Sequence, residues 1–337
     1  MRIVFFIFFT FSALFATSHN SLAKDFIGKE FSSKNTHKRI IITCYGGAVQ
    51  QMALFLDPKT IIAHPGTQRF PFFGKLYPAL TEVPSIGTFN DINFETLLKL
   101  KPDVVFAGVI SSPTNQRIEQ FGIPVFTLGI GKHNITTLLQ EFKEVGIFID
   151  QQTKANKLID YWQEQLAFIQ THIPPKKARL KVLYVNGSNK FSSEGKHWWG
   201  DDFITQAGGI NIVQNIQGRA NLTPEKLIAF NPDVIILSKN RSSSLPPQEL
   251  KQNSVYKNLK AVKNDQLYIS PVGGFWWDRP SPEAILGIMW LSKILYPKEM
   301  KELDLKQQTK YFFKTFYNYN LSDQEYKSFF QREKDIK

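Results

Sequence analysis

Two stretches of the chain repeat one order of apolar and polar positions at an offset of 130 residues. Glu95 to Gly108 reads ETLLKLKPDVVFAG, Glu225 to Ser238 reads EKLIAFNPDVIILS, and Glu, Leu, Pro, Asp and Val coincide without a gap. Each copy begins with apolar residues at helical spacing, meets a Pro that cannot continue a helix, and passes through Asp into an unbroken β-branched and apolar run. A run of that kind suits a strand buried on both faces, so each copy predicts a short helix followed by a strand of a parallel sheet. Thr223 with Pro224 forms a helix-start signal for the second copy, and Asn93 can cap the first.

Further strands are predicted at Ile40 to Cys44, Ile61 to Ala63 and Val125 to Leu128 in the first half, and at Leu180 to Val185 and Leu267 to Ser270 in the second. Strands alternating with helices in two duplicated halves predict an α/β protein of two Rossmann-like lobes. Between them, Ala155, Leu158, Ile159, Trp162, Leu166 and Ile169 recur at helical spacing until Pro174 and Pro175 stop the pattern. This predicts a single helix over residues 150–173, roughly 33 Å long, bridging both lobes and resisting wide hinge opening. The lobes then occupy residues 24–149 and 174–300, with the ligand cleft between them. Residues 301–337, with Tyr311, Phe312, Phe316 and Tyr319 in amphipathic order, are expected to form helices packed on the second lobe.

The extreme N-terminus follows a different pattern. Met1 and Arg2 precede an apolar run from Ile3 to Ala16 and a polar stretch ending Ser21-Leu22-Ala23. The run is shorter than the ~20 residues a bilayer-spanning helix needs, which predicts a secretory signal peptide over residues 1–23 with cleavage after Ala23. The lone cysteine, Cys44, is away from the cleavage point and has no partner for a disulfide. The expected product is a soluble, monomeric periplasmic protein without a lipid anchor. The formal charge of +12 becomes +11 once Arg2 is removed. Lys and Arg are spread along the chain, and export takes it away from nucleic acid, so an anionic ligand or merely a basic proteome remains to explain the surplus.

In open α/β sheets ligands sit beyond the carboxyl ends of the strands. After the first strand come Tyr45, Gly46 and Gly47, and after the next come His64 and Arg69, whose guanidinium suits a carboxylate or oxyanion. In the second lobe Lys190, Lys196, His197, Trp198 and Trp199 combine charge with flat apolar faces, Trp199 being assigned to packing. The last strand leads into Gly273 to Pro280, with Trp276, Trp277, Asp278 and Arg279, before a helix capped by Ser281. Neighbouring residues of a loop point to opposite sides, so one of Trp276 and Trp277 is expected to meet ligand. Asp278 is expected to pair with Arg279. The candidate ligand-binding set is Tyr45, Arg69, Lys190, His197, Trp198, Trp276, Trp277 and Arg279.

With these features the chain resembles the substrate-binding proteins of ABC importers for iron(III)-siderophores, haem and cobalamin, whose two lobes are joined by one rigid helix. The resemblance spans Lys38 to Pro297 and is carried by ETLLKLKPDVVFAG, GIPVFTLG, HWWGDDFITQAGGINIV, TPEKLIAFNPDVIILS and GGFWWDRPSPEAILGIMWLSKILYP in that order. It implies capture of an anionic metal chelate, an iron(III)-siderophore first, and delivery to an inner-membrane ABC permease, with no cofactor and no reaction. Haem, for which Tyr45, His64 or His197 would be iron ligands, cobalamin, a nickel chelate and molybdate stay open, as does whether a bare metal ion is bound. The resemblance also implies one docking carboxylate per lobe, assigned to Glu119 and Glu249, each 16 residues beyond the Asp of its PDV motif. A chelatase-like periplasmic enzyme or a zinc receptor would need clustered histidines or a nucleophile motif. The five histidines beyond the signal lack metal-ligand spacing, and no Gly-x-Ser-x-Gly occurs.

Overall fold

The computed structural model describes residues 22–33, 38–66, 68–186, 191–239 and 246–330. In the first half, the hairpin of β1 (Leu22–Lys24) and β2 (Glu30–Ser32) precedes β3 (Ile40–Ile42), α1 (Ala48–Phe55), β4 (Ile61–Ala63) and α2 (Pro71–Leu76). A small hairpin of β5 (Gly87–Thr88) and β6 (Asp91–Ile92) leads into α3 (Phe94–Leu100), β7 (Val104–Gly108), α4 (Ser112–Gln120), β8 (Val125–Leu128) and α5 (Ile135–Phe148). Four strands form a parallel sheet in the order β4-β3-β7-β8.

Helix α6 (Gln152–His172) crosses to the second half. There β9 (Lys181–Val185), β10 (Ser192–Glu194), α7 (Trp199–Gln206), β11 (Ile210–Asn211), β12 (Arg219–Asn221), α8 (Pro224–Phe230), β13 (Val234–Leu237), α9 (Pro247–Gln252), α10 (Lys260–Lys263) and β14 (Leu267–Ile269) follow. The second sheet, β11-β9-β13-β14, is again parallel, and β10 pairs antiparallel with β12. The chain ends in α11 (Ala284–Leu295), α12 (Leu305–Phe316) and α13 (Asp323–Ser328).

The duplicated motif occupies equivalent places in two separate sheets. Asn93 accepts from the Thr96 amide at 2.9 Å and Thr223 from that of Lys226 at 3.4 Å, so both helices start as expected. Both end on a left-handed residue, Lys101 with φ 46° and Asn231 with φ 42°, ahead of the Pro. The Asp then clamps the neighbouring strand: Asp103 accepts from the amides of Lys38 and Arg39 at 2.9 and 3.0 Å, and Asp233 from that of Lys181 at 2.8 Å. The motif thus carries its own instruction for pairing β7 with β3 and β13 with β9.

Period-2 alternation sorts each strand between two cores. Ile40, Ile42, Val104, Phe106, Val182, Tyr184, Val234 and Ile236 face a single core that runs through both halves and includes α6 and α11. Their neighbours Ile41, Val105 and Ala107 face an outer core of the first half, and Leu183, Val185, Ile235 and Leu237 one of the second. Within α6, Ala155, Leu158, Tyr161, Trp162 and Ile169 are buried, and the Trp162 indole donates to the Pro282 carbonyl at 3.2 Å.

Two expectations change here. Residues 301–330 do not pack on the second half alone. Tyr161 of α6 contacts Tyr311, Phe312 and Phe316, while Phe72 of α2 meets Phe313, Tyr319 and Phe329 edge to face. The reason is that the aromatic stripe of α12 is wide enough to cover α6 and α2 together. In addition, the boundary expected after Ala23 falls inside β1, where Ala23 is fully buried opposite Phe31. The rest of the expected signal, residues 1–21, lies outside the described residues.

Candidate functional site

The loops at the carboxyl ends of both sheets face one another around a cavity of about 350 Å³. The first half contributes Tyr45 after β3, Arg69 after β4, and Gly131 and Lys132 after β8. From the second half come His197 and Trp198 at the start of α7, Arg219 on β12, and Trp276 and Arg279 from the segment after β14.

Cations and rings are interleaved. The Arg69 guanidinium lies 5.0 Å from the Tyr45 ring centre, and that of Arg279 6.0 Å from Trp276. Trp198 is approached from both halves, by Lys132 at 5.7 Å and by Arg219 at 5.4 Å. Each ring presents its electron-rich face to a cation, which orients that cation while leaving its N–H groups for a ligand.

Arg279 is half-buried. Its Nη2 donates to the Ser238 hydroxyl at a long 3.4 Å, and its Nε has no hydrogen-bond partner among the described residues. Burial works against its charge, but Tyr184, Asp278 and Glu194 around it hold its pKa above the ordinary value. Glu194 is the acid lining the cavity. Burial pushes its carboxyl up against the downward pull of Arg279, and its oxygens are taken by the Asn186 amide at 2.7 Å and the Gly200 N–H at 2.9 Å. Arg219 also approaches it at 4.0 Å, so one carboxyl stands against the four cations that line the cavity.

The adjacent tryptophans separate. Trp276 lines the cavity, whereas Trp277 is fully buried and donates to Glu283 at 3.1 Å, so Trp277 is removed from the ligand-binding set. Trp199 is also buried, donating to the Asp278 carbonyl at 3.0 Å. Asp278 turns inward and accepts from the Tyr184 hydroxyl at 3.0 Å, instead of forming the expected pair with Arg279 as its main contact. Lys196 is exposed and does not line the cavity; Lys190 lies outside the described residues.

Two candidate iron ligands are already engaged. His64 is buried with Nε2 against the Leu80 carbonyl at 2.7 Å and Nδ1 accepting from Gly66 at 2.9 Å, which leaves it no lone pair for a metal. The Tyr45 hydroxyl donates to the Pro65 carbonyl at 2.9 Å. Among the described residues, no group of three or more His, Cys, Asp or Glu side chains could hold a metal ion. Cys44 is buried, and that burial pushes its thiol far up, away from nucleophilic behaviour.

The two expected docking acids do not occupy equivalent places. Glu119 lies in the last turn of α4 and pairs with Lys29, while Glu249 lies in the first turn of α9. The cause is the longer connection from β13 to α9, which breaks the offset beyond the strand.

Lys132 and Arg219 are not among the residues to which the sequence points. Lys132 obeys the rule that serves for the others, since it follows β8 in a glycine-flanked loop. Arg219 belongs to a three-residue antiparallel strand with no readable periodicity.

Comparison with known proteins agrees with this geometry. The profile described as periplasmic binding protein matches residues 42–272, which include most of both sheets. The molybdate-binding protein MolA of Haemophilus influenzae is 25% identical over 264 residues, covering 72% of this chain and 75% of its own. The iron-uptake system-binding protein of Bacillus subtilis is 26% identical over 276 residues, covering 76% and 83%. A solved periplasmic solute binding protein from Veillonella parvula has a TM-score of 0.77 and 26% identity, covering 92% of this chain and 96% of its own. With two parallel sheets, a bridging helix, a cavity at the facing strand ends and a profile match over more than half its length, the chain belongs to the periplasmic binding protein family.

Proposed function

We propose that this protein is the solute-receiving component of an ABC importer, holding an anionic metal chelate in the cavity between its halves and passing it unchanged to an inner-membrane permease. The observation that carries this reading is the convergence of four cations on one cavity, Arg69 and Lys132 from the first half and Arg219 and Arg279 from the second. A ligand with two or more negative charges would be gripped from both sides and would hold the halves together.

Volume and lining narrow the class. About 350 Å³ is near the small end of ligand cavities, which favours a compact chelate over haem or cobalamin. The faces of Tyr45, Trp198 and Trp276 favour a ligand with rings, and so an iron(III) chelate over a bare oxyanion such as the molybdate named for the Haemophilus relative. The iron-uptake relative from Bacillus supports the same choice.

The test is native mass spectrometry with metal analysis of the protein taken from its own periplasm. Tryptophan-fluorescence titration with iron(III) citrate, iron(III) catecholates, haem, nickel-histidine and molybdate then ranks the ligands. Co-purifying iron and quenching by a ferric chelate support the reading; no response to any anionic ligand, or turnover of one, overturns it.

A further inference from the structure

On the other side of Trp276 lies a second cavity, of about 400 Å³. Arg69 and Trp276 line both, so the two share one wall. The second is bounded by Phe72 of α2 and by Ser328 and Phe329 from the C-terminal segment, with Phe329 edge-on to Phe72 at 4.8 Å. Phe70, also in its wall, meets Trp276 edge to face at 4.8 Å. Its charged lining residues are Arg69 and Lys239, and no Asp or Glu lines it among the described residues. Burial lowers the pKa of Lys239, as happens to an ammonium whose hydration is curtailed.

We propose that this second cavity is a subsite for an arm of the ligand, an anionic ring substituent such as a benzoate or phenolate attached to the chelate in the first cavity. The inference rests on the chelate reading of that first cavity. An arm passing Trp276 brings its charge between Arg69 and Lys239 and its ring against the edges of Phe72 and Phe329. A compact oxyanion in the first cavity reaches Arg69 but not Lys239, Phe72 or Phe329. The paired cavities therefore select a compact chelate core that carries an extended arm, and the C-terminal segment, through Ser328 and Phe329, takes part in that selection.

The test uses the mature protein and two substitutions outside the first cavity. Ser328→Trp fills the subsite from an exposed position, and Lys239→Glu reverses its charge. Calorimetric titration compares molybdate, an iron(III) bis-catecholate, and the same chelate carrying a pendant carboxyphenyl arm. Wild type should bind the armed chelate at least about tenfold more tightly than the unarmed one. Both variants should erase that preference, with unchanged melting curves and unchanged affinity for the unarmed chelate. Equal affinity for the two chelates, or an arm preference that survives both substitutions, overturns the subsite and leaves the first-cavity reading standing, whereas binding of molybdate alone removes that reading and the subsite with it. Failure of wild type to bind any of the three removes that reading, and the subsite with it.

Discussion

Gly47 and Pro280 meet where the two halves face each other: a Cβ on Gly47 would stand 2.5 Å from the Pro280 carbonyl oxygen. Gly47 also caps α1 with φ 89°, a left-handed conformation that costs a residue with a side chain roughly 1 kcal/mol. Glycine is needed there for both reasons, and Pro280 and the preceding Gly46 line the cavity. Gly47→Ala is expected to lower stability by about 1–3 kcal/mol and to weaken ligand binding by pushing the halves apart. Urea denaturation and titration of the same variant check both effects.

Arg279 lines the cavity, and among the described residues its Nε has no hydrogen-bond partner. Arg279→Gln removes the charge but keeps a polar side chain, and it should cost about 1.5–3 kcal/mol of binding, roughly 10- to 150-fold in Kd. Thermal stability should fall as well, because the buried Glu194 carboxyl loses the cation that offsets its burial. Calorimetric Kd values with and without added salt report it, and an unchanged Kd would remove Arg279 from the site.

Glu283 is fully buried and accepts from Tyr317 at 2.8 Å and from Trp277 and Gly274 at 3.1 Å. Burial pushes its carboxyl up to about 7 despite the opposing pull of those donors. The folded chain therefore keeps a proton that the unfolded chain releases near 4.5. Its stabilising contribution is complete below that value, falls as pH rises, and is lost above about 7, a span of about 3 kcal/mol. Glu283→Gln, which mimics the protonated form, should flatten this decline. Denaturant midpoints of both proteins at pH 5 and pH 8 measure the difference, and parallel pH profiles would contradict it.

Phe313 is fully buried at the junction of Phe72, Tyr317 and Phe329, where the C-terminal helices join the first half. Phe313→Ala should destabilise the whole protein by about 3–5 kcal/mol in one transition, because the core it leaves is continuous through both halves. Two separated unfolding steps in calorimetry would show instead that the segment is a peripheral addition.

Ala23 is fully buried in β1, and the next amide, that of Lys24, donates to Glu144 at 2.7 Å. Cleavage of a signal peptide within β1 would remove the strand's inward-facing residue. Any processing of the N-terminus is expected to spare Leu22 and Ala23 and to fall further upstream, where Ala16 and Ser18 are spaced for signal peptidase. The intact mass of periplasmic protein decides this directly.

The duplication, the parallel sheets and the bridging helix are legible in the chain before it folds, because they rest on short-range order. Alternation, capping residues and Pro-Asp punctuation act within a few positions, and the Asp of each PDV motif even specifies the adjoining strand. The same order indicates Tyr45, Arg69, Trp198, Trp276 and Arg279, since the carboxyl end of a parallel strand predicts which loops face a cleft.

Which of Trp276 and Trp277 turns outward is settled only in three dimensions, because it depends on Glu283, nine residues beyond Gly274, taking the buried indole. The same holds for Lys132 and Arg219, which come from different halves and meet at the ring of Trp198. Convergence of residues far apart in the chain leaves no periodic trace. The 130-residue offset likewise stops being informative once the connections after β7 and β13 differ in length, which is why Glu119 and Glu249 part company. The C-terminal helices show the limit most plainly: their amphipathic stripe announces that they will pack, and the folded surfaces of α2 and α6 together determine where.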